Sequence, residues 1–284
     1  MVAHEPRICS LFYPKMNDFT FSISSLPTLA AMFLIVMCRV SAVVMVSPGL
    51  GETTSPMIIR AGIALCMSVT ILPVVQPYVL PITNAALNSP AQTLGIIAIE
   101  LLCGIFLGWL ARLVALSFAI AMQMIAVFTG LASVLQPDTE LGASSTALSH
   151  MATMLIPVIF LSTGLYILPL TAVTGSYNLF PPGHMPMIGD MAKSITQTSS
   201  HVFMLALQLS APFVLIGTLW PAMLGVLNRL LPSIQVYSIA MPAQILGGVL
   251  LLAILIQVLT GVWQERSQDM LLNMPGINRL HAHP

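Results

Sequence analysis

Long apolar stretches, separated by short polar or proline-rich breaks, dominate the hydrophobic pattern of this chain. They cover about residues 26–46, 57–80, 91–135, 148–173, 202–227 and 236–262. Each reaches or exceeds the roughly 20 mostly apolar residues that a helix needs to cross a bilayer. The runs are too long and too evenly apolar for the alternating strands of a membrane barrel. The pattern therefore predicts an all-α, polytopic membrane protein with about six apolar helices.

Several of these runs depart from simple spans. The third is about twice the length of one span and is interrupted by Arg112, so we expect it to fold back on itself or to extend partly outside lipid. Prolines inside runs, such as Pro73, Pro157 and Pro212, predict kinked helices. Residues 174–200 are rich in Pro, Gly, Ser and Thr and predict an irregular connection.

The composition agrees with a membrane environment. Only 6% of the 284 residues are charged, 57% are hydrophobic and the mean hydropathy is +0.95, whereas a soluble domain is usually about one quarter charged. The formal net charge of zero argues against a nucleic-acid partner, because such proteins carry basic surfaces. We predict a disordered N-terminal extension (1–18), a membrane domain (19–265) and a polar C-terminal tail (266–284).

Four residues in the third run recur at a spacing of four: Glu100, Gly104, Gly108 and Arg112. On a helix they form one ridge, and its two glycines allow another backbone to approach closely. Glu100 and Arg112 lie about 18 Å apart along such a helix and cannot pair with each other. Ionisable residues in an apolar run indicate either a functional site or a structural contact with a neighbouring helix or subunit. Arg39 is expected to extend its side chain to the membrane interface.

Methionine is abundant, with 19 residues, and an apolar cluster lies near the end of the third run. The cluster contains Met122, Met124, Phe128, Gly130 and Leu131. Ordinary apolar packing is one interpretation of this cluster. The functional alternative is a deformable seal, because thioether side chains are flexible and fill irregular gaps.

Motifs of enzymes and metal sites are not found in the sequence. There is no HExxH, no phosphate-binding glycine loop and no nucleophile elbow, and the four cysteines show no paired spacing. We therefore predict no catalytic residues, no metal and no cofactor. An intramembrane acyltransferase or protease is disfavoured for lack of a nucleophile and base. A small-solute transporter with broken helices remains the alternative function.

An ordered set of motifs carries a family resemblance. Residues 211–242 read APFVLIGTLWPAMLGVLNRLLPSIQVYSIAMP, and they follow Arg39, Glu100-xxx-Gly104-xxx-Gly108, and Ser176 with Pro182-Gly183. This set resembles the FliR family of flagellar export-gate proteins and its SpaR-type relatives in virulence secretion. The resemblance covers roughly residues 19–262.

The resemblance implies a subunit of a type III protein export gate in the bacterial inner membrane, within the flagellar basal body. It implies FliP-like and FliQ-like partners, other export apparatus proteins and membrane lipid. The cargo would be unfolded flagellar subunits. In this family much of the apolar sequence lies above the bilayer, held by neighbouring subunits.

Under this interpretation three groups of residues have structural roles. The ridge from Glu100 to Arg112 packs on neighbouring helices, and the cluster from Met122 to Leu131 contributes to the closed constriction of a conduit. Arg229, Pro232 and Gln235 form a turn between the last two helices that meets a partner.

Overall fold

The protein is described here by a computed structural model, which covers residues 26–52, 55–134, 147–230 and 236–277. The regular secondary structure in these ranges is helical. The helices are α1 (Leu26–Val46), α2 (Met57–Asn88), α3 (Pro90–Phe128), α4 (Leu131–Val134), α5 (Ala147–Ser162), α6 (Ile167–Leu179), α7 (Ile188–Leu230) and α8 (Val236–Leu272).

Helix length and composition confirm the all-α, polytopic prediction. Five helices in the described ranges are long and apolar enough to cross a membrane, or six if α5 and α6 together form one bent span. Four of them are much longer than the hydrocarbon core. Helices α2, α3, α7 and α8 have 32, 39, 43 and 37 residues, which corresponds to about 48, 58, 64 and 55 Å against a hydrocarbon core of about 30 Å.

Helix α3 lies at the centre of the fold. It packs against α1, α5 and α7, while α2 packs mainly against α1. The interior is built from aliphatic and aromatic side chains such as Leu107, Val114 and Phe118 on α3, Val43 on α1 and Phe160 on α5. Burying these faces away from water or lipid joins α1, α2, α3, α5, α6, α7 and α8 in one core.

The third run does not fold back within residues 90–128. It forms the single helix α3, because it contains no proline after Pro90 and no glycine with a left-handed backbone before Gly130. The turn comes at Thr129–Gly130, where Gly130 has φ +79°. Of the two expectations for this run, folding back is wrong.

The predicted irregular connection at 174–200 is also too long. Helix α6 continues to Leu179 and α7 already begins at Ile188, so the connection comprises residues 180–187. Hydroxyl side chains do not break α7 here because they bond back to its own carbonyls. Ser194 Oγ donates to Asp190 O at 2.9 Å, and Thr196 Oγ1 donates to Ala192 O at 2.9 Å.

The fourth run is divided into two helices rather than one. Helices α5 and α6 meet at a bend of 70°. The break falls at Gly164, whose φ of +76° is in the left-handed region that glycine adopts without a steric penalty. Pro157 lies inside α5, which continues past it, so the bend occurs at a glycine rather than at this proline.

The segment predicted as a polar C-terminal tail is partly core. Helix α8 continues to Leu272, and Leu271, Met274 and Ile277 are buried. Gly276 packs directly against the backbone of α6 at Gly175. The predicted boundary at residue 265 therefore falls inside a helix, and residues 266–277 belong to the folded unit.

Candidate functional site

The buried polar centre of the described chain is an ion pair between α1 and α3. Arg39 Nε donates to Glu100 Oε2 at 2.6 Å, and Arg39 Nη2 donates to Glu100 Oε1 at 3.1 Å. Both side chains have no solvent exposure. This side-by-side geometry is the strongest arrangement that arginine and a carboxylate form.

The remaining donors of Arg39 reach α6 and the connection that follows it. Nη1 donates to Ser176 Oγ at 3.0 Å, and Nη2 donates to Phe180 O at 3.1 Å. The guanidinium carbon lies 3.9 Å from the centre of the Tyr177 ring, a cation–π contact. One side chain thus joins α1, α3, α6 and the 180–187 connection.

The expectation that Arg39 extends to the membrane interface is wrong. Its side chain stays inside because Glu100 supplies the opposite charge and two further oxygens accept its remaining hydrogen bonds. A buried charge is tolerated only when it is paired and hydrogen-bonded in this way. We call Arg39, Glu100, Ser176, Tyr177 and Phe180 the Arg39 network.

The two ridge glycines lie where α3 approaches α1. A Cβ atom built on Gly104 would be 2.5 Å from Arg39 O and 2.7 Å from Ala42 Cβ. One built on Gly108 would be 2.8 Å from Val46 Cβ. The close approach therefore occurs within the chain, and it brings Glu100 within reach of Arg39. A role of the same ridge in contacts between subunits stays a prediction.

Arg112, the last residue of the ridge, differs from Glu100. It is half-buried and has no hydrogen bond or ion pair with another described residue. The ridge thus divides into an end that is paired within the chain and an end whose charge has no partner in the part of the chain that the structure describes.

Comparison with known proteins gives a consistent result. The family "Bacterial export proteins, family 1" matches residues 30–270. A protein of Caulobacter vibrioides named "Flagellar biosynthetic protein FliR" is 30% identical over 84% of this chain and 93% of its own length. Proteins with the same name from Escherichia coli (23% identical over 78% of this chain and 82% of their own) and Aquifex aeolicus (24%, 81% and 87%) are also similar. The chain belongs to the FliR family of bacterial export proteins.

Family membership confirms the resemblance drawn from the sequence. Arg39, Glu100 and Ser176 were part of that resemblance at separate places along the chain, and the structure brings them into one network. Their mutual contact was not predicted. The available signal was their joint presence in the motif set, because an arginine and a glutamate in apolar runs each need a partner.

The residues predicted for a constriction occupy different environments. Met122 and Leu131 are buried within the chain, whereas Met124, Phe128 and Gly130 are half-buried. The turn after α3 is held between the last two long helices. A Cβ on Gly217 of α7 would collide with the backbone of Phe128, and one on Gly248 of α8 would be 2.7 Å from Thr129 Cβ.

A side-chain amide also holds the turn after α3 in place. Gln244 Nε2 on α8 donates to Phe128 O at 3.2 Å, which satisfies one carbonyl at the end of α3. For the residues of the predicted constriction, the structure therefore shows that the end of α3 is held between α7 and α8. The pore role of these side chains stays a prediction.

The predicted turn between the last two helices is only partly described. Arg229 is exposed in the last turn of α7, while Pro232 and Gln235 lie outside the described residues. Their contact with a partner stays a prediction.

Proposed function

We propose that the chain is a structural, non-enzymatic subunit of the flagellar type III protein export gate in the bacterial inner membrane. It would help to form the conduit for unfolded flagellar subunits, together with FliP-like and FliQ-like subunits and other export apparatus proteins. Membership of the FliR family and relatives named as flagellar biosynthetic proteins support this proposal.

The observation that carries the proposal is the uncovered surface of the long helices. In the most apolar window of each helix, 50% of the residues of α3 are buried, but only 22% of those in α2 and 11% of those in α8. Uncovered apolar faces of this extent need lipid or other apolar protein around them.

Lipid alone does not match the length of these faces. Exposed large apolar side chains on α2 extend from Met57 to Leu87, about 45 Å along a helix. On α7 a series of them extends from Phe203 to Leu230, about 40 Å, in addition to exposed Ile188 at the start of the helix. Both distances exceed the thickness of the hydrocarbon core, about 30 Å. Sibling subunits of similar apolarity are the cover that fits both lengths.

Co-purification tests this proposal directly. The full chain with an affinity tag, co-expressed with FliP-like and FliQ-like proteins of the same organism, should retain both after detergent extraction. A tagged polytopic membrane protein of unrelated fold serves as the control. Recovery of the chain as a lone, stable monomer from cells that contain both partners would contradict the proposal.

The conduit role has its own test. Met124→Ala combined with Phe128→Ala would remove half-buried apolar bulk beside the turn that ends α3. We expect cells with this variant to become leaky to small ions, as measured by membrane conductance. Val158→Ala, which alters an exposed residue of α5, is the control. Unchanged conductance with normal assembly would argue against a sealing role for these side chains.

A further inference from the structure

One face of α3 carries the exposed apolar side chains of this helix from near its start to its end. Given about 100° of rotation per residue, they lie within an arc of about 100°. They are Leu94, Leu101, Leu102, Ile105, Trp109 and Val127. From Leu94 to Val127 this surface extends for about 50 Å, whereas the hydrocarbon core of a bilayer is about 30 Å thick. We call it the α3 face.

Arg112 is the charged residue on the α3 face. Helix α3 contains two charged residues, Glu100 and Arg112, and successive members of the ridge are rotated by about 40°. Arg112 is therefore turned by about 120° from Glu100 and lies within the arc of the exposed apolar side chains. It is half-buried and has no hydrogen bond or ion pair with another described residue. The α3 face thus presents an unpaired guanidinium.

Apolar side chains continue along the α3 face on both sides of Arg112. Leu94 lies about 27 Å away along the helix in one direction, and Val127 lies about 22 Å away in the other. A lipid phosphate would meet the guanidinium only if the bilayer boundary fell near Arg112. The apolar surface beyond that boundary would then lie among headgroups and water, which is unfavourable. A protein partner that covers the whole face avoids this exposure.

Such a partner must supply an anionic group. A helix packed along the α3 face would bury Arg112, and a buried charge is tolerated only when it is paired and hydrogen-bonded. The backbone carbonyls of the partner helix are already bonded within that helix. A carboxylate side chain supplies both the opposite charge and two acceptor oxygens for the guanidinium.

A second copy of this chain does not offer a suitable carboxylate among the described residues. Glu100 is already bound by Arg39 inside the chain. The other described carboxylates lie in a connection or towards the polar ends of helices: Glu52, Asp190, Glu265 and Asp269. A different chain therefore fits the α3 face better than a copy of this one.

We propose that a carboxylate in an apolar helix of another export-gate subunit binds Arg112, while apolar side chains of that helix cover Trp109 and Leu116. This proposal rests on the assembly with sibling subunits proposed above. A charged or polar contact within an apolar helix interface fixes the register of the two helices. The Arg39 network would then position α3 within the chain, and Arg112 would position it against the next subunit.

Charge reversal tests the proposed ion pair. The full chain with an affinity tag is co-expressed with FliP-like and FliQ-like proteins of the same organism and purified in detergent. Arg112→Glu should lower the retained partner per chain at least about tenfold, because it places two like charges together at a desolvated contact. Arg112→Gln should also lower it. Lys193→Gln, which removes an exposed positive charge on α7, is the control and should leave retention unchanged.

Photo-crosslinking locates the partner carboxylate. The photoreactive residue p-benzoylphenylalanine in place of Leu116 should crosslink to a partner segment that contains Asp or Glu within about one helical turn. Replacement of that acid by arginine should restore retention of the Arg112→Glu chain. The melting temperature of the isolated Arg112→Glu chain in detergent should stay unchanged, since Arg112 has no described partner within the chain.

The outcomes separate this proposal from the proposed function. Full retention of both subunits by Arg112→Glu, crosslinks confined to lipid or to a second copy of the chain, or absence of rescue would overturn the ion pair and leave the proposed function standing. A lower melting temperature of the isolated Arg112→Glu chain would assign Arg112 to internal packing and also refute the proposal. If the unaltered chain retained neither subunit, the proposed function would be overturned, and this proposal with it.

Discussion

The α1–α3–α6 core and the α7–α8 pair differ in how much of their apolar and charged surface is buried and paired within the chain. In the core, α3 is half buried along its most apolar window, and the charge of Glu100 is paired with Arg39 of α1. In the α7–α8 pair, the corresponding window of α8 is 11% buried, and its two helices leave a polar cavity between them at one end. Burial within the chain is therefore more extensive in α3 than in α8.

The two regions also differ in how specifically their contacts determine the arrangement of the helices. A buried bidentate ion pair has one satisfactory geometry, so it selects one arrangement of α1, α3 and α6 rather than adding much net stability. Smooth apolar faces accept many neighbours, and their arrangement must be fixed by the surface that covers them. We infer that the arrangement of the core helices sets the shape of the subunit. The α7–α8 pair supplies the apolar surface that neighbouring proteins or lipid cover.

The largest expected effect comes from breaking the Arg39 network. Glu100→Gln leaves the charge of Arg39 buried and uncompensated, which should lower the free energy of unfolding by about 3–5 kcal/mol. Denaturant titration of the purified chain in detergent measures this. Glu265→Gln, at an exposed position, is the control. The double variant Arg39→Met with Glu100→Leu should recover much of the lost stability. Equal stability of Glu100→Gln and the control Glu265→Gln would contradict the role of the network.

A second test concerns the close approach of α1 and α3. Gly104→Leu places side-chain atoms where Arg39 O and Ala42 Cβ already lie, and we expect a loss of about 1–3 kcal/mol together with loss of export and motility. Gly95→Leu on the same helix meets no atom within 4 Å and should be tolerated. Normal motility and an intact purified complex for Gly104→Leu would show that this approach is dispensable.

A smaller effect is expected where α8 joins the core. Trp263 Nε1 donates to Ser117 Oγ at 2.9 Å, and its ring centre lies 5.2 Å from that of Phe118. Trp263→Phe removes the hydrogen bond and keeps an aromatic ring, so we expect a loss of about 1 kcal/mol in unfolding free energy. Trp109→Phe, at a half-exposed residue, is the control. If both substitutions cost the same, the bond to Ser117 contributes nothing specific.

The smallest effect on the chain itself should come from the uncovered face of α8. Leu246 is 72% exposed, so Leu246→Ala should change the stability of the isolated chain by less than about 0.5 kcal/mol. Leu107→Ala at a fully buried residue should cost about 2–5 kcal/mol. If subunits cover α8, Leu246→Ala will still weaken co-purification with FliP-like and FliQ-like partners. Unchanged co-purification would assign this position to lipid.

Hydropathy alone predicted the membrane class and the approximate number of spans, because long apolar runs have few other solutions. The composition of residues 174–200 indicated an irregular connection, and this prediction failed at residues 188–200, which are helical. That segment is helical because it continues directly into the apolar part of α7, and its hydroxyl groups are satisfied by carbonyls of the same helix. Hydropathy also missed the break at Gly164, which depends on one backbone angle.

The Arg39 network was predictable only in part. The sequence showed that Glu100 needs a partner, and the spacing excluded Arg112. It did not show that the partner is Arg39, since the two residues are 61 positions apart and their meeting depends on how α1 and α3 are arranged. The cavity between α7 and α8 was missed for a similar reason, because its two polar faces are widely separated along the chain.

The packing of Gly276 on Gly175 has a consequence for biosynthesis. Residues 274–277 fill part of the interior beside α6, yet they are synthesised after helices α1–α8. The earlier helices can enter the membrane as they emerge from the ribosome, but their interior cannot close until this late segment arrives. A nascent chain stalled within α8 would therefore carry an open core.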